Sequence, residues 1–182
     1  MKPEIVRSET IYEGKVFDVR IDTIRENGKT HDREMVIHSG SIVILPIFDD
    51  DTVALVRQYR HATGKELLEL AAGGIEKGED PESGAARELE EEIGVTAEKL
   101  ELLCSVYVSP GFLSEKMHIY MATGLTEVGQ KLEGDEDLTI ERYSFEKLHE
   151  MIENGEIEDA KTIVGITMAA TLLSGTRASL PA

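Results

Sequence analysis

Apolar and polar residues alternate along much of the N-terminal part of the chain, with the two-residue period of a β-strand that buries one face. Between residues 17 and 22 every second side chain is apolar and its neighbour is charged, which is typical of a half-buried strand. Asn27 and Gly28 form a strong hairpin turn signal, and residues 34–38 are the expected return strand. The pattern therefore predicts an antiparallel β extension over residues 1–40.

Several apolar runs of strand length follow this extension. The longest two, at 41–47 and 52–59, are separated by a turn of three aspartates, and a shorter run at 67–70 leads into the flexible turn expected at 71–74. These lengths and their bounding turn residues favour strands. Further strands are predicted at 100–108, 117–122 and 138–143.

Three helices are expected after and between these strands. Asp80 followed by Pro81 predicts a helix start, because aspartate caps helices and proline suits the first helical position. That helix ends before Gly94, a common C-terminal stop. Two further helices are predicted to begin at Ser144 and Asp159. Strands, one helix, more strands and two helices predict a mixed α/β domain whose sheet packs against helices.

The composition limits the class of protein. With 182 residues, 41% of them hydrophobic and 30% charged, the chain suits one sizeable domain with a small appendage. Its single cysteine excludes an intramolecular disulfide. The N-terminus lacks the apolar core of a signal peptide, and the apolar runs are too short to span a bilayer. We therefore expect a cytoplasmic protein with no membrane association.

The net charge of −17 argues against a nucleic-acid groove, whose footprint is a basic stripe. Most of this charge is expected to solvate the surface. An anionic ligand poses a separate problem, because so acidic a protein must recruit cations locally to hold it.

The first predicted helix gathers three glutamates on one face. At about 100° per residue, Glu88, Glu91 and Glu92 fall within an arc of about 100°. Neighbouring carboxylates repel each other, and a hard divalent cation such as Mg²⁺ or Mn²⁺ reverses that interaction. Taken alone, such a helix is more often a solvated acidic face. The adjacent apolar stripe expected to pack on the sheet consists of Ala86, Leu89 and Ile93.

The spacing around these glutamates resembles the Nudix box, G-x5-E-x7-R-E-U-x-E-E-x-G-U, in which U is a bulky aliphatic residue. Every fixed position is matched, by Gly73, Glu79, Arg87, Glu88, Leu89, Glu91, Glu92, Gly94 and Val95. So long a match has a small false-positive risk. The resemblance implies the Nudix fold, an α/β/α sandwich around a mixed sheet, for residues 41–182.

The resemblance also implies roles for the matched residues. Glu88, Glu91 and Glu92 would bind Mg²⁺, with Mn²⁺ as a substitute, and the backbone of Ala72 lies in the turn that would reach the same ions. The supporting residues of the box are Gly73, Glu79, Arg87 and Gly94. In the family, the residues at the positions of Arg87 and Glu79 form a pair that braces the loop. The glycine at the position of Gly73 permits a tight turn near the metals, and the glycine at the position of Gly94 ends the helix.

Other segments are similar to the ADP-ribose pyrophosphatase branch of the family. Pro110 lies 16 residues beyond Gly94, and the segments 57–60 and 66–73 also match, although Ala71 stands where the branch often has proline. The similarity implies hydrolysis of ADP-ribose to AMP and ribose 5-phosphate. The substrate-binding residues that it implies are Arg57, Arg60, Glu69, Pro110, Gly111 and Glu115. From the residues alone, Pro110 and Gly111 form an ordinary turn.

In this branch the catalytic base lies on a loop after the box. The corresponding loop here is 133–137, in which Glu136 is the first choice and Glu133 the second, and Glu91 is a further catalytic candidate. The branch also implies a homodimer in which residues 1–40 cross to the second subunit. Two alternatives stay open, a hydrolase of another nucleoside diphosphate sugar such as a GDP-hexose and a non-catalytic Nudix-fold binding module.

Overall fold

The computed structural model describes residues 2–132, 134 and 137–175. Two of the expected catalytic candidates, Glu133 and Glu136, lie outside these described residues. The strands are β1 (Glu4–Glu13), β2 (Asp18–Glu26), β3 (Lys29–Ile37), β4 (Ser41–Pro46), β5 (Thr52–Arg60), β6 (Lys65–Glu69), β7 (Ala71–Gly74), β8 (Val95–Tyr107), β9 (Lys116–Glu127) and β10 (Leu138–Ser144). The helices are α1 (Pro81–Glu88), which continues into a π-helical turn (Leu89–Ile93), α2 (Phe145–Glu153) and α3 (Ala160–Leu173).

The described residues form two compact units. The N-terminal unit comprises the described part of residues 1–41 together with 106–117, and the larger unit comprises 42–105 and the described part of 118–182. Residues 106–117 therefore belong with the N-terminal strands, a feature that the sequence pattern did not indicate.

The N-terminal unit contains a three-stranded sheet in the order β1-β2-β3. Strands β2 and β3 pair antiparallel, with Glu26 opposite Lys29. Between them Asn27 and Gly28 both have positive φ, 51° and 73°, as a two-residue hairpin turn requires. The hairpin prediction is thus confirmed, although β3 begins at Lys29 and is longer than the expected return strand.

The larger unit contains two sheets, in the orders β10-β5-β6 and β7-β4-β9-β8. Strand β4 is buried along its whole length, as expected for a strand covered on both faces. The core cluster contains Ile42 and Ile44 from β4 together with Ala85 and Leu89 from the box helix. Burial of these side chains fixes the helix on the sheet, and the architecture is the mixed α/β fold that the sequence predicts.

Two details of the expected elements are corrected. Residues 71–74 form strand β7, not a flexible turn, because this segment pairs with β4 at the edge of the second sheet. Ala85 is fully buried in the core while Ala86 is exposed, so the apolar stripe of the helix is shifted by one residue from the expected one.

The predicted helix starts are confirmed. Asp80, Ser144 and Asp159 are the N-caps of the three helices, and each side chain accepts a backbone N–H from the first turn. Such caps satisfy donors that have no partner within the helix. None of the helices in the described part of the chain is long and apolar enough to cross a membrane.

Candidate active site

The three glutamates of the box lie at the end of α1 and in the π-helical turn that follows it. Glu88 and Glu92 are only 7% and 3% exposed, and the Glu91 side chain is 28% exposed. A π-helical turn widens the helix and re-aims its side chains, and such turns are frequent at functional sites. Burial of two carboxylates contradicts a merely solvated acidic face, because an ionised group is buried only when it is paired or binds a cation.

Arg87 connects these carboxylates to the loop before the helix. Its Nε and Nη2 donate to both Glu79 oxygens at 3.0 and 3.1 Å, and Nη1 donates to Glu88 Oε1 at 2.7 Å and to Glu91 Oε2 at 3.0 Å. Through the bonds to Glu79, the pKa of Arg87 rises further above its ordinary range and the pKa of Glu79 falls. One guanidinium thus serves three carboxylates.

Strand β7 lies directly against the buried glutamates. The Ala72 N–H donates to Glu92 Oε2 at 3.1 Å, and a Cβ added at Gly73 would lie 1.8 Å from Glu88 Oε1. Only glycine fits at this position. A polar cavity of about 250 Å³ opens here, and its lining consists of Ala72, Gly73, Gly74, Glu76, Arg87, Glu88 and Glu91.

The donor set at this cavity fits a hard divalent cation in its chemistry. Carboxylate and backbone carbonyl oxygens are the ligands that Mg²⁺ and Mn²⁺ prefer, and the missing side chain at Gly73 keeps the backbone close to Glu88. Within the described ranges no three His, Cys, Asp or Glu side chains already converge as a metal site. In the arrangement described, Arg87 instead engages Glu88 and Glu91.

A short segment after β9 fastens the end of the box helix. Gly94 has a φ of 74°, and its carbonyl accepts the N–H groups of Val128 and Gly129. The Lys131 N–H donates to the Glu91 carbonyl at 3.0 Å, and the Gln130 side chain donates to the Glu92 carbonyl at 2.6 Å. Residues 128–131, which we call the clasp, thereby donate hydrogen bonds to carbonyl groups that have no partner within the helix.

The expected substrate residues Arg60 and Glu69 form an ion pair in which only the carboxylate is buried. Glu69 is 1% exposed, and both its oxygens accept from Arg60, at 2.9 and 2.8 Å. Lys161 also pairs with Glu69. Burial alone would raise the pKa of Glu69, but the hydrogen bond from Arg60 and the charge of Lys161 lower it below its ordinary value. Lys161 lies 92 positions from Glu69, so no local pattern indicated it.

Arg57 lies on the same strand as Arg60 and pairs differently. Its Nε and Nη2 donate to Glu141 on β10 at 2.5 and 3.2 Å, and Tyr143 hydrogen bonds to the same carboxylate. The bonds from Arg57 and Tyr143 lower the pKa of Glu141. The Arg57 side chain remains 37% exposed.

The remaining expected substrate residues lie in the N-terminal unit. Pro110 and Gly111 line a mainly apolar cavity of about 440 Å³ together with Tyr107 and Phe112. Glu115 does not line this cavity, and its carboxylate accepts a hydrogen bond from Ser41 Oγ at 2.7 Å.

The chain matches known proteins in both sequence and structure. Residues 38–164 match the model of the NUDIX domain. The chain is 37% identical over 169 residues to the ADP-ribose pyrophosphatase of Bacillus subtilis (strain 168), with 91% of each chain covered. It is 36% identical over 164 residues to the methanol dehydrogenase activator of Bacillus methanolicus, with 88% of this chain and 89% of that one covered. The crystal structure of an ADP compounds hydrolase superposes with a TM-score of 0.83 and 28% identity over 97% of both chains.

Proposed function

Because the chain belongs to the Nudix family and is a hydrolase of that family, we propose that it cleaves the diphosphate linkage of ADP-ribose. With Mg²⁺ as cofactor, one water is consumed and AMP and ribose 5-phosphate are released. The substrate is supported by the relative named ADP-ribose pyrophosphatase, whose alignment covers 91% of each chain, and by the structural likeness to an ADP compounds hydrolase.

The observation that carries the proposal is the burial of Glu88 and Glu92 against β7. Two carboxylates, 7% and 3% exposed, face a strand on which Gly73 leaves no room for a side chain. Arg87 compensates part of the Glu88 charge, and a divalent ion held by the two carboxylates would compensate more of their charge. An eroded box would be expected in a binding module without catalysis, whereas here every fixed position is present.

We assign the metal to Glu88, Glu91 and Glu92, with the backbone of Ala72 beside them. When bound, a divalent ion neutralises the diphosphate oxygens and makes a bound water more acidic. Glu136 is our first choice to accept the proton of the attacking water, followed by Glu133 and then Glu91, because general base catalysis needs a carboxylate beside that water. Arg60 holds a substrate phosphate through charge-assisted hydrogen bonds.

We further propose that the protein is a homodimer joined through β1. This edge strand is exposed along its whole length, and its apolar side chains Ile5, Ile11 and Tyr12 are 54–56% exposed. Edge strands with exposed apolar side chains are rarely left uncovered in soluble proteins. A second copy supplies the same apolar strand and therefore a self-complementary surface.

A product assay tests the proposed reaction. The purified protein is incubated with Mg²⁺ and, separately, ADP-ribose, NADH, GDP-mannose and diadenosine polyphosphates, and the products are quantified by chromatography. We expect the highest kcat/KM for ADP-ribose, equal amounts of AMP and ribose 5-phosphate, and no turnover in EDTA. A Glu92→Gln variant is expected to lose about 100-fold or more in activity, beyond the usual loss for a metal's outer-shell partner.

Glu82→Gln is the matched control, because Glu82 is an exposed glutamate in the first turn of the same helix. It should retain wild-type activity. Preference for GDP-mannose would overturn the substrate while leaving the reaction class intact. Full activity of Glu92→Gln, or full activity in EDTA, would contradict the metal assignment itself.

A further inference from the structure

Lys161 belongs to an ionic cluster around the buried carboxylate of Glu69, which also contains Arg60. Arg60 is the last residue of β5 and Glu69 the last of β6. The Arg60 fork binds both oxygens of Glu69, and Lys161 Nζ pairs with Oε2 of the same carboxylate. The Lys161 side chain is 13% exposed and that of Glu69 is 1% exposed. One buried carboxylate is therefore shared by two cations.

Lys161 is held rigidly by the start of α3. Its Nζ lies 3.1 Å from Asp159 Oδ2, and this N-cap carboxylate accepts from the backbone and hydroxyl of Thr162 at 3.0 and 2.6 Å. The Thr162 hydroxyl in turn accepts the Leu70 N–H at 2.8 Å. The first turn of α3 is thereby fastened to the residue that follows Glu69, immediately before β7.

The cluster is electrostatically connected to the box. After the Glu69 hydrogen bond and the opposing effect of burial, the charges of Glu69 and Glu92 are among the causes that raise the pKa of Arg60. Arg60 is the more accessible of the two cations, with 37% of its side chain exposed. Its Nε and Nη2 donate to Glu69, and Nη1 takes no part in these two bonds.

We propose that Lys161 is a positioning residue which, by neutralising part of the Glu69 charge, leaves more of the positive potential of Arg60 available to a substrate phosphate. The proposal deepens the proposed function and rests on it. With Glu69 bound to Arg60 alone, the pair has no net charge and attracts an anionic diphosphate weakly. With Lys161 present, the carboxylates of Glu69 and Asp159 face two cations instead of one, and the Asp159 charge also lies at the capped start of α3, whose dipole favours an anion.

Steady-state kinetics with ADP-ribose and Mg²⁺ tests this role. Lys161→Met is expected to raise KM about 10-fold and leave kcat within about threefold, because a charge-assisted contact made in both ground and transition states is weakened. The inhibition constant of inorganic pyrophosphate, measured with excess Mg²⁺, should rise by a similar factor. Lys161→Arg should restore both constants, since it retains the charge.

Lys65→Met is the matched control, because Lys65 pairs with Glu158 at the surface, where both side chains are about half exposed. It should leave both constants unchanged. Lys161→Gln, which is polar and uncharged, replaces Lys161→Met if the apolar variant does not fold. Wild-type values of KM and of the pyrophosphate constant in a folded Lys161 variant, or a loss confined to kcat, would overturn the proposal.

If the proposed substrate is wrong, the kinetic assays give a different result. A wild-type protein that leaves ADP-ribose intact but cleaves another nucleoside diphosphate sugar contradicts the substrate assignment. In that case the inhibition constant of pyrophosphate and the KM for the cleaved sugar still test whether Lys161 acts on the phosphate site. The changes that support the proposal and those that overturn it are the same as for ADP-ribose.

Discussion

Gly73 is the residue at which the smallest chemical change has the largest expected effect on the site. A methyl group there would lie 1.8 Å from one oxygen of Glu88 and 2.5 Å from the other. Its neighbour Gly74 has no atom within 4 Å of an added Cβ. The two adjacent glycines at the end of β7 therefore differ sharply in the space around them, although their sequence context is nearly the same.

Gly73→Ala is expected to displace the Glu88 carboxylate and to reduce Mg²⁺-dependent kcat by about 10- to 100-fold, the range typical for changes that misplace a metal ligand. It should also lower the free energy of unfolding by about 1–3 kcal/mol, because the added methyl overpacks the site. Both quantities are measured by steady-state kinetics and urea unfolding. Gly74→Ala serves as the control and should change neither; equal activity of the two variants would refute the close approach.

At the same scale, the sequence predicted metal-binding glutamates but not the side chains that surround them. The spacing of the box is local, so Glu88, Glu91 and Glu92 could be identified within 20 residues of Gly73. Lys161 and Gln130 could not, because their partners Glu69 and Glu92 lie 92 and 38 positions away. Side chains that act through long-range contacts leave no periodic signal in a single sequence.

At the scale of elements, the C-terminal end of the box helix is held by the clasp, a part of the chain that is remote in sequence. Its start and stop followed from Asp80, Pro81 and Gly94, which have recognised capping preferences. The π-helical turn over its second half was not predictable from these signals, because tertiary contacts stabilise it. The clasp supplies such contacts, and a Cβ at Gly94 would lie only 2.6 Å from the Gln130 backbone nitrogen.

Strand β1 illustrates the opposite case, an edge strand that pairs with one neighbour and is otherwise uncovered. It pairs with β2 on one edge, and every residue along it is exposed. Alternation of apolar and polar residues predicted strands in this region, but their uncovered surface became evident only in the structure. Burial of the apolar side chains of β1 away from water therefore requires a second surface that packs against them.

Light scattering coupled to size-exclusion chromatography tests the proposed dimer. The wild type should elute with twice the mass of the chain, and an Ile5→Glu/Ile11→Glu double variant should elute as a monomer, because buried charges would oppose association. Val128→Glu is the control, since Val128 is 48% exposed and lies outside the N-terminal unit; it should remain dimeric. A monomeric wild type would rule out the assembly.

At the scale of the whole molecule, the fold class and the order of elements followed from hydrophobic periodicity and capping residues. The place of residues 106–117 did not, because they join the N-terminal strands through contacts far from them in sequence. One such contact is the bond from the Val36 N–H to the Phe112 carbonyl. Pairing between remote segments is what a single sequence encodes least directly.

The net charge of −17 gives the whole molecule an unfavourable field for an anionic diphosphate. We propose that local cations offset this field, namely divalent ions at the box and the two cations, Arg60 and Lys161, that share Glu69. Because Glu88 and Glu92 are almost fully buried, their charge must be compensated locally and not by bulk counterions.

Titration of the protein with Mn²⁺, followed by electron paramagnetic resonance of the free ion, measures that compensation directly. We expect the wild type and Glu82→Gln to bind Mn²⁺ saturably. Glu88→Gln and Glu92→Gln should bind Mn²⁺ at least about 10-fold more weakly, because a ligand is lost. Equal Mn²⁺ affinity of the wild type and both box variants, with all four proteins folded, would contradict the central claim that these carboxylates hold the catalytic metal.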